Sequence, residues 1–144
     1  LRGMEEVKLG EGNKLGKVKY ATREYFEMLK DAVNRDDAFK SSDFTSTWAY
    51  IFKDKITDEN LPLTYIISWE NGKIVNVREG KPDENVELKF IATYDTWAKI
   101  IQGKMNVMSA MMTGKYKIEG PTSKLMKYSQ VLSRLTEITK ALEA

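Results

Sequence analysis

Apolar and polar positions change period several times along the chain, and each change marks the boundary of a predicted element. Around residues 22–33 large apolar side chains recur three or four positions apart, which predicts a helix that Thr22 caps. Asp36 begins a second short helix that carries Phe39. Four segments then alternate apolar and polar residues with the period of two that is typical of strands: 44–53, 63–70, 73–79 and 86–92.

The turns between these segments predict how the strands pair. Asn71-Gly72 separates two β-rich segments and supplies the two positive φ angles that a type I′ hairpin requires. In the strand that follows, Val75 and Val77 are expected to share one face and Ile74 to lie on the other. A turn precedes the fourth strand. The four strands are therefore predicted to form an antiparallel meander.

After the fourth strand the pattern returns to the helical period. Asp95 is expected to cap a helix that ends at Gly103, and a short Met-rich helix follows and ends at Gly114. Residues 115–119 alternate as a fifth strand. Pro121 then suits the first turn of a helix that continues to the C-terminus.

Length and glycine content predict one domain with an arm. A chain of 144 residues is the size of a single domain. Residues 1–19 carry glycine among lysine and glutamate and are predicted to be a flexible N-terminal tail or arm, with residues 1–3 a cloning remnant. Residues 20–144 are predicted to form the single domain. The chain has no run of about 18 apolar residues, and a cytoplasmic location is predicted.

Composition excludes several function classes. The chain contains no histidine and no cysteine, which removes thiol nucleophiles, Ser-His-Asp triads and Cys/His zinc sites. Its 23 basic and 21 acidic residues are interleaved and give a net charge of +2, which is too weak for a dedicated nucleic-acid binder. We therefore expect no enzyme activity, no catalytic residue, no metal, no cofactor and no nucleic-acid partner.

Three segments of the C-terminal half carry a resemblance to a known family: 93–106, 110–120 and 125–127. Two helix-ending pairs, Gly103-Lys104 and Gly114-Lys115, are separated by a short helix, and a strand that closes with Gly120 precedes an apolar helix. In this order and spacing the chain resembles the sterol carrier protein family, the intracellular nonspecific lipid-transfer domain.

The resemblance implies an α+β fold in which a mainly antiparallel five-stranded sheet is covered by helices, with an apolar tunnel between them. It also implies noncatalytic binding and carriage of hydrophobic ligands: fatty acids, acyl chains and sterol- or isoprenoid-like lipids. The matching motif positions are structural glycines, so they carry over no functional residue. The expected partner is a lipid or another long apolar small molecule.

Candidate ligand-binding residues follow from amphipathicity instead. Methionine adapts to ligands of different shape, and aromatic side chains on strands could line a cavity. The candidates are Trp48, Tyr50, Ile67, Trp97, Ile101, Met105, Met108, Met111, Met112, Leu125, Met126, Leu132 and Leu135. The same spacing is typical of ordinary core packing, and that alternative stays open. Because no polar residues converge in this set, little head-group selectivity is expected.

Two other functions fit the same pattern. The chain could be an accessory domain that presents a hydrophobic intermediate to a partner enzyme, or a structural module whose terminal helix pairs with its copy in a homodimer. The terminal helix also carries basic residues that could make transient contact with an anionic membrane surface: Lys124, Lys127, Arg134 and Lys140.

Overall fold

Five α-helices and five strands make up the part of the chain that the computed structural model describes, residues 22–143. The predicted tail over residues 1–19 lies outside the described residues. In chain order the elements are α1 (Arg23–Arg35), a 3-10 helix (Asp37–Phe39), β1 (Ser46–Ile56), β2 (Pro62–Glu70), β3 (Lys73–Gly80), β4 (Leu88–Ala92), α2 (Tyr94–Ile101), α3 (Val107–Met112), β5 (Tyr116–Glu119), α4 (Thr122–Lys127) and α5 (Ser129–Glu143). Over residues 22–143 no helix is long and apolar enough to cross a membrane.

The first two helices begin where the sequence predicts them. Thr22 Oγ1 accepts a hydrogen bond from the backbone N–H of Tyr25 at 3.2 Å and so caps α1. Asp36 caps the 3-10 helix by accepting from the N–H of Ala38. The buried residues of α1 are Tyr25, Phe26, Leu29 and Val33. Both helix predictions are confirmed.

The sheet is mixed, and its strand order corrects the predicted meander. The order is β3-β2-β1-β4-β5. Three strand pairs are antiparallel, β1 with β2, β2 with β3 and β4 with β5, but β4 runs parallel to β1. The prediction that the first four strands form an antiparallel meander is therefore wrong, because β4 lies beside β1 rather than beside β3.

The connection between β3 and β4 gives a physical reason for the parallel pair. Residues 81–87 run to the sheet face that points away from the helices, where Val86 packs against three apolar residues: Ala49, Ile51 and Ile66. The N–H of Glu87 then donates to the backbone oxygen of Thr47 at 3.0 Å, which places the start of β4 next to β1. The crossing buries an apolar side chain, and this long-range contact cannot be read from the turn residues alone.

The hairpin between β2 and β3 is confirmed. Asn71 has φ 49° and Gly72 has φ 79°, as a type I′ turn requires. A Cβ at position 72 would lie 2.3 Å from the backbone oxygen of Phe39, so the turn also needs glycine for space.

A bulge in β3 corrects the predicted faces of that strand. Ser68 pairs with Asn76 and Trp69 pairs with Ile74, which leaves Val75 as an extra residue. Ile74 and Val77 therefore both enter the core, whereas Val75 is 51% exposed. Strict alternation put Val75 and Val77 on one face, and the extra residue breaks that alternation.

The cap of α2 differs from the prediction. Thr93, not Asp95, caps α2 by accepting from the N–H of Thr96 at 3.2 Å, because the extended residue directly before the helix can reach its free N–H groups. Asp95 instead lies 3.0 Å from Lys99 in an ion pair. Asn106 caps α3, so that Met105 precedes the helix.

The predicted single terminal helix is divided in two at Tyr128. This residue leaves the helical region, with φ −107° and ψ 30°, between α4 and α5. Its hydroxyl donates to Asp43 at 3.0 Å, and its ring packs edge-on against Phe44 at 4.9 Å. These contacts hold the corner between the two helices against the start of β1.

Candidate functional site

A cavity of about 240 Å³ lies between the sheet and the helices. Its wall contains residues of every α-helix and of three strands: Tyr25, Phe26, Leu29, Trp48, Tyr50, Phe90, Trp97, Ile100, Ile101, Val107, Tyr116, Leu125, Leu132, Leu135, Thr136 and Thr139. The sheet side comes from β1, β4 and β5, and the opposite side comes mainly from α1, α2 and α5. Val107 of α3 is also exposed to solvent and marks one edge of the cavity.

Strand register places the sheet side of the wall. Alternation along β1 turns Trp48 and Tyr50 toward the helices. The parallel pairing aligns Tyr50 with Phe90 of β4, and the antiparallel pairing aligns Phe90 with Ile118 of β5. The mixed sheet is therefore what brings β4 into the wall.

Tyr50 lies at the centre of an aromatic cluster in this wall. Its ring centroid lies 5.1 Å from Trp97, 5.4 Å from Phe26, 5.4 Å from Phe90 and 6.1 Å from Trp48. The Phe26 pair is stacked and the others are tilted or edge-on, and such arrangements are common among aromatic pairs. The sheet side and two helices are thus joined through ring contacts at the cavity.

The wall carries no formal charge among the described residues that form it. Burial raises the pKa of the Tyr50 hydroxyl, and burial together with nearby Tyr50 raises the pKa of Tyr116, so both hydroxyls stay neutral at physiological pH. The Thr136 hydroxyl donates to the backbone oxygen of Leu132, and the Thr139 hydroxyl donates to that of Thr136. The cavity therefore suits apolar chains and excludes unpaired ions.

Contacts with the residues that directly precede β1, β4 and the 3-10 helix hold the two terminal helices over this cavity. Lys124 Nζ of α4 lies 2.8 Å from Glu87 Oε1 and also donates to the backbone oxygen of Thr45. Arg134 of α5 lies 2.7 Å from Asp36. Hydrogen bonding by Lys124 and then by Ser46 lowers the pKa of Glu87, and Arg134 lowers the pKa of Asp36.

Seven of the thirteen candidate residues form part of the wall: Trp48, Tyr50, Trp97, Ile101, Leu125, Leu132 and Leu135. Ile67 is buried in the same core but does not line the cavity. Met105 is half-buried, and four other methionines are exposed: Met108, Met111, Met112 and Met126. Because α3 has six residues and buries only Ala110, its methionines point outward rather than into the cavity.

Nine wall residues were not among the candidates: Tyr25, Phe26, Leu29, Phe90, Ile100, Val107, Tyr116, Thr136 and Thr139. Those of α1 lie on its predicted apolar stripe, so the period of that helix could have identified them. Phe90 could have been found from the inward face of β4. The two threonines gave no apolar signal, and only their position among the leucines of α5 indicates that they border the cavity, where Thr136 is also exposed to solvent.

Both the sequence and the fold of this chain are similar to those of sterol carrier proteins. A sequence model described as the SCP-2 sterol transfer family matches residues 26–133. The fold is similar to that of a conserved hypothetical protein from Thermus thermophilus, at 14% identity and a TM-score of 0.70 over 88% of this chain and 91% of that chain. It is similar to sterol carrier protein 2 at 15% identity and a TM-score of 0.70, over 85% and 98% of the two chains.

A third solved structure contains the same fold as a small part of an enzyme. A sec-alkyl sulfatase matches at 20% identity and a TM-score of 0.55, over 74% of this chain but 15% of the sulfatase. No curated protein sequence matches this chain.

Proposed function

This chain belongs to the SCP-2 sterol transfer family, and on that premise we propose that it binds hydrophobic ligands in the cavity under α4 and α5 and carries them without catalysing a reaction. The proposed ligands are fatty acids, acyl chains and sterol- or isoprenoid-like lipids. The observation that carries the proposal is the wall itself, where fourteen of the sixteen described residues are aliphatic or aromatic and none of the sixteen is charged.

The volume of the cavity indicates that a wall moves when a long ligand enters. About 240 Å³ is below the range of about 300–1,000 Å³ that is usual for ligand pockets. The helices α4 and α5 can separate from the sheet without breaking hydrogen bonds between strands. We therefore assign the moving wall to α4 and α5.

Titration with a fluorescent fatty acid and with a fluorescent sterol analogue tests the proposal. We expect saturable binding, and displacement of each probe by unlabelled lipid. Solvent extraction of the purified protein followed by lipid mass spectrometry would identify ligands that copurify. Failure of both probes to bind saturably would contradict the proposed function.

Transfer also requires contact with a membrane surface, and α3 offers an exposed apolar patch for it. This α3 patch consists of Val107, Met108, Met111 and Met112, of which Met112 is 83% exposed. Lys104 and Lys115 flank the helix, and neither lies within 4 Å of a carboxylate in the described part of the chain. Apolar side chains flanked by cations suit the interface of an anionic bilayer. Since Val107 also lines the cavity, docking there would place the cavity beside the lipid.

Sedimentation with vesicles of phosphatidylcholine and phosphatidylserine tests this contact. Met112→Asp is expected to weaken vesicle binding by about tenfold or more, because it replaces a side chain that would be buried in the bilayer by a negative charge that anionic lipid repels. Ile56→Asp is the matched control, since Ile56 is 58% exposed but lies at the end of β1. Equal binding by the two variants would contradict docking through the α3 patch.

One observation favours the accessory-domain alternative, namely the occurrence of this fold within a sec-alkyl sulfatase. In that function the same cavity would hold a hydrophobic intermediate, and a protein partner would be needed to receive it. Transfer of a bound fluorescent lipid to acceptor vesicles, with no other protein present, distinguishes the two. Spontaneous transfer supports the carrier, and retention of the lipid supports the accessory domain.

A further inference from the structure

Three buried indole N–H groups have no hydrogen-bond acceptor in the part of the chain that the structure describes. They belong to Trp48, Trp69 and Trp97, which are all the tryptophans of the chain. Trp48 and Trp97 line the cavity, whereas Trp69 does not. An indole N–H can donate a hydrogen bond but cannot accept one, and burying it unpaired is unfavourable. Two of the three unpaired donors therefore lie where the ligand is proposed to bind.

The surroundings of these two tryptophans are mostly aromatic. The Trp48 ring lies 5.1 Å from Phe90, 5.2 Å from Trp69 and 5.6 Å from Phe44, measured between centroids. The Trp97 ring lies 5.1 Å from both Tyr50 and Tyr116 and 5.8 Å from Phe52. The faces of these rings pack well against an indole but are weak acceptors for its N–H, and in the described part of the chain no tyrosine hydroxyl accepts from Trp48 or Trp97.

We infer that the indole N–H groups of Trp48 and Trp97 donate hydrogen bonds to a neutral oxygen on the bound lipid. The inference rests on the proposed function, because it concerns the same cavity. An ester, ketone or hydroxyl oxygen within the apolar chain would pair a donor that a plain hydrocarbon leaves unpaired. The cavity thus selects oxygenated lipids over hydrocarbons of the same length.

The acceptor is neutral rather than a carboxylate or a phosphate. None of the wall residues that the structure describes is charged, so an anion inside the cavity would be buried among them without a cation. Tyr50 and Tyr116 could add only neutral hydroxyl groups, since burial raises the pKa of both. A charged head group would therefore remain at the edge of the cavity, and the selectivity concerns oxygen atoms along the chain. The sequence pattern predicts little selectivity for the head group, and the selectivity inferred here concerns a different part of the lipid, its chain.

Indole N–H resonances provide a direct readout, because the chain has three tryptophans. In an ¹H–¹⁵N spectrum of the full chain, tridecan-2-one is expected to move the indole proton of Trp48, of Trp97 or of both downfield. The n-tridecane of equal chain length is expected to cause no downfield shift. Trp69 is the internal control, because its N–H is also buried and unpaired but lies outside the wall. The inference is overturned if the ketone moves neither cavity indole downfield, or if the alkane moves them equally.

Affinities measured by displacement of a fluorescent fatty acid give the second test. The wild-type chain is expected to bind tridecan-2-one about three- to tenfold more tightly than n-tridecane, as one hydrogen bond predicts. A Trp48→Phe/Trp97→Phe double variant should lose this preference, and Trp69→Phe should keep it. Circular dichroism checks that each variant is folded. If a variant is unfolded, the NMR spectra of the wild-type chain alone test whether the indoles donate to the ligand.

The two proposals fail in distinguishable ways. If the wild-type chain binds ketone and alkane with equal affinity, the cavity still carries apolar ligands and only the role of the indoles is wrong. If it binds neither probe nor the fluorescent fatty acid, the proposed function itself fails.

Discussion

Asn34 connects the first helix to the bulge of β3 through both atoms of its side-chain amide. Its Nδ2 donates to the backbone oxygen of Ile74 at 2.9 Å, and its Oδ1 accepts from the Ile74 N–H at 2.9 Å. The substitution Asn34→Ala leaves both backbone groups without these partners and is expected to lower the free energy of unfolding by about 1–3 kcal/mol. Urea denaturation measures this loss. Asn76→Ala, at an exposed position of the same strand, is the control, and an equal small effect of both variants would contradict the role of Asn34.

Single residues were predictable where a local rule decides their conformation. Asn71-Gly72 and Thr22 follow from the geometry of a turn and of a helix cap, and both predictions are confirmed. The side of β3 on which Val75 lies was not predictable, because a bulge depends on the partner strand and on contacts such as that of Asn34. The outward direction of the α3 methionines was not predictable either, since helical spacing does not show which face of a helix packs against the core.

The contact between α4 and the sheet depends on the ionisation of Glu87. Lys124 is the main cause of the lowered pKa of this carboxyl, followed by the Ser46 hydroxyl. A carboxyl whose pKa is lower in the folded state stabilises the fold above its unfolded pKa, and this stabilisation is lost as pH falls through the folded pKa. Attachment of α4 is therefore expected to weaken in acid, at pH values below about 4.5.

Unfolding in urea at pH 7 and at pH 3 measures this dependence. Glu87→Gln should reduce the loss of stability between the two pH values, by less than about 1 kcal/mol because both side chains are partly exposed. Glu59→Gln, at an exposed loop position, is the control. If Glu87→Gln lost as much stability between pH 7 and pH 3 as the wild-type chain, the ion pair would not contribute to the acid sensitivity of the fold.

The sequence predicted which segments form helices and which form strands, but it did not predict every pairing between strands. The strand patterns of β1 to β5 and the helical stripes of α1, α2 and α5 are strong because each element buries apolar side chains against its neighbours. The position of β4 beside β1 was missed because the intervening turn resembles a hairpin, whereas its crossing depends on Val86 packing behind the sheet. That pairing is also what brings Phe90 to the cavity.

For the whole molecule, the resemblance in residues 93–127 identified the family, and seven candidate residues lie in the cavity wall. The cavity itself could not be derived from periodicity, because a stripe that packs in a core and one that lines a cavity have the same spacing. The homodimer stays a prediction. The apolar stripe of α5 faces its own domain, where Leu135 and Ile138 are buried, so the stripe is already occupied within one chain.

Opening of the cavity is expected at α4 and α5, and hydrogen exchange can locate it. Residues 122–143 should exchange faster than the central strands β1 and β2 in the empty protein, and lipid should slow them, because ligand contacts with Leu125 and Leu132 hold the helices in place. Exchange in the central strands serves as the reference. Protection of residues 122–143 equal to that of β1, and unchanged by lipid, would place the opening elsewhere.

Substitution of two leucines distinguishes a residue of the cavity wall from a residue of the packed core by its effects on stability and on lipid affinity. Leu132 of α5 is half-buried and lines the cavity, whereas Leu88 of β4 is fully buried outside it. Leu88→Ala should lower the free energy of unfolding by about 2–5 kcal/mol and leave lipid affinity nearly unchanged in the folded fraction. Leu132→Ala should cost less stability, because its side chain already borders a space, and should weaken lipid binding more. Urea denaturation and titration with a fluorescent fatty acid measure the two quantities. If Leu132→Ala instead destabilised the chain as much as Leu88→Ala and kept full affinity, α5 would be a fixed part of the core rather than the moving wall of the cavity.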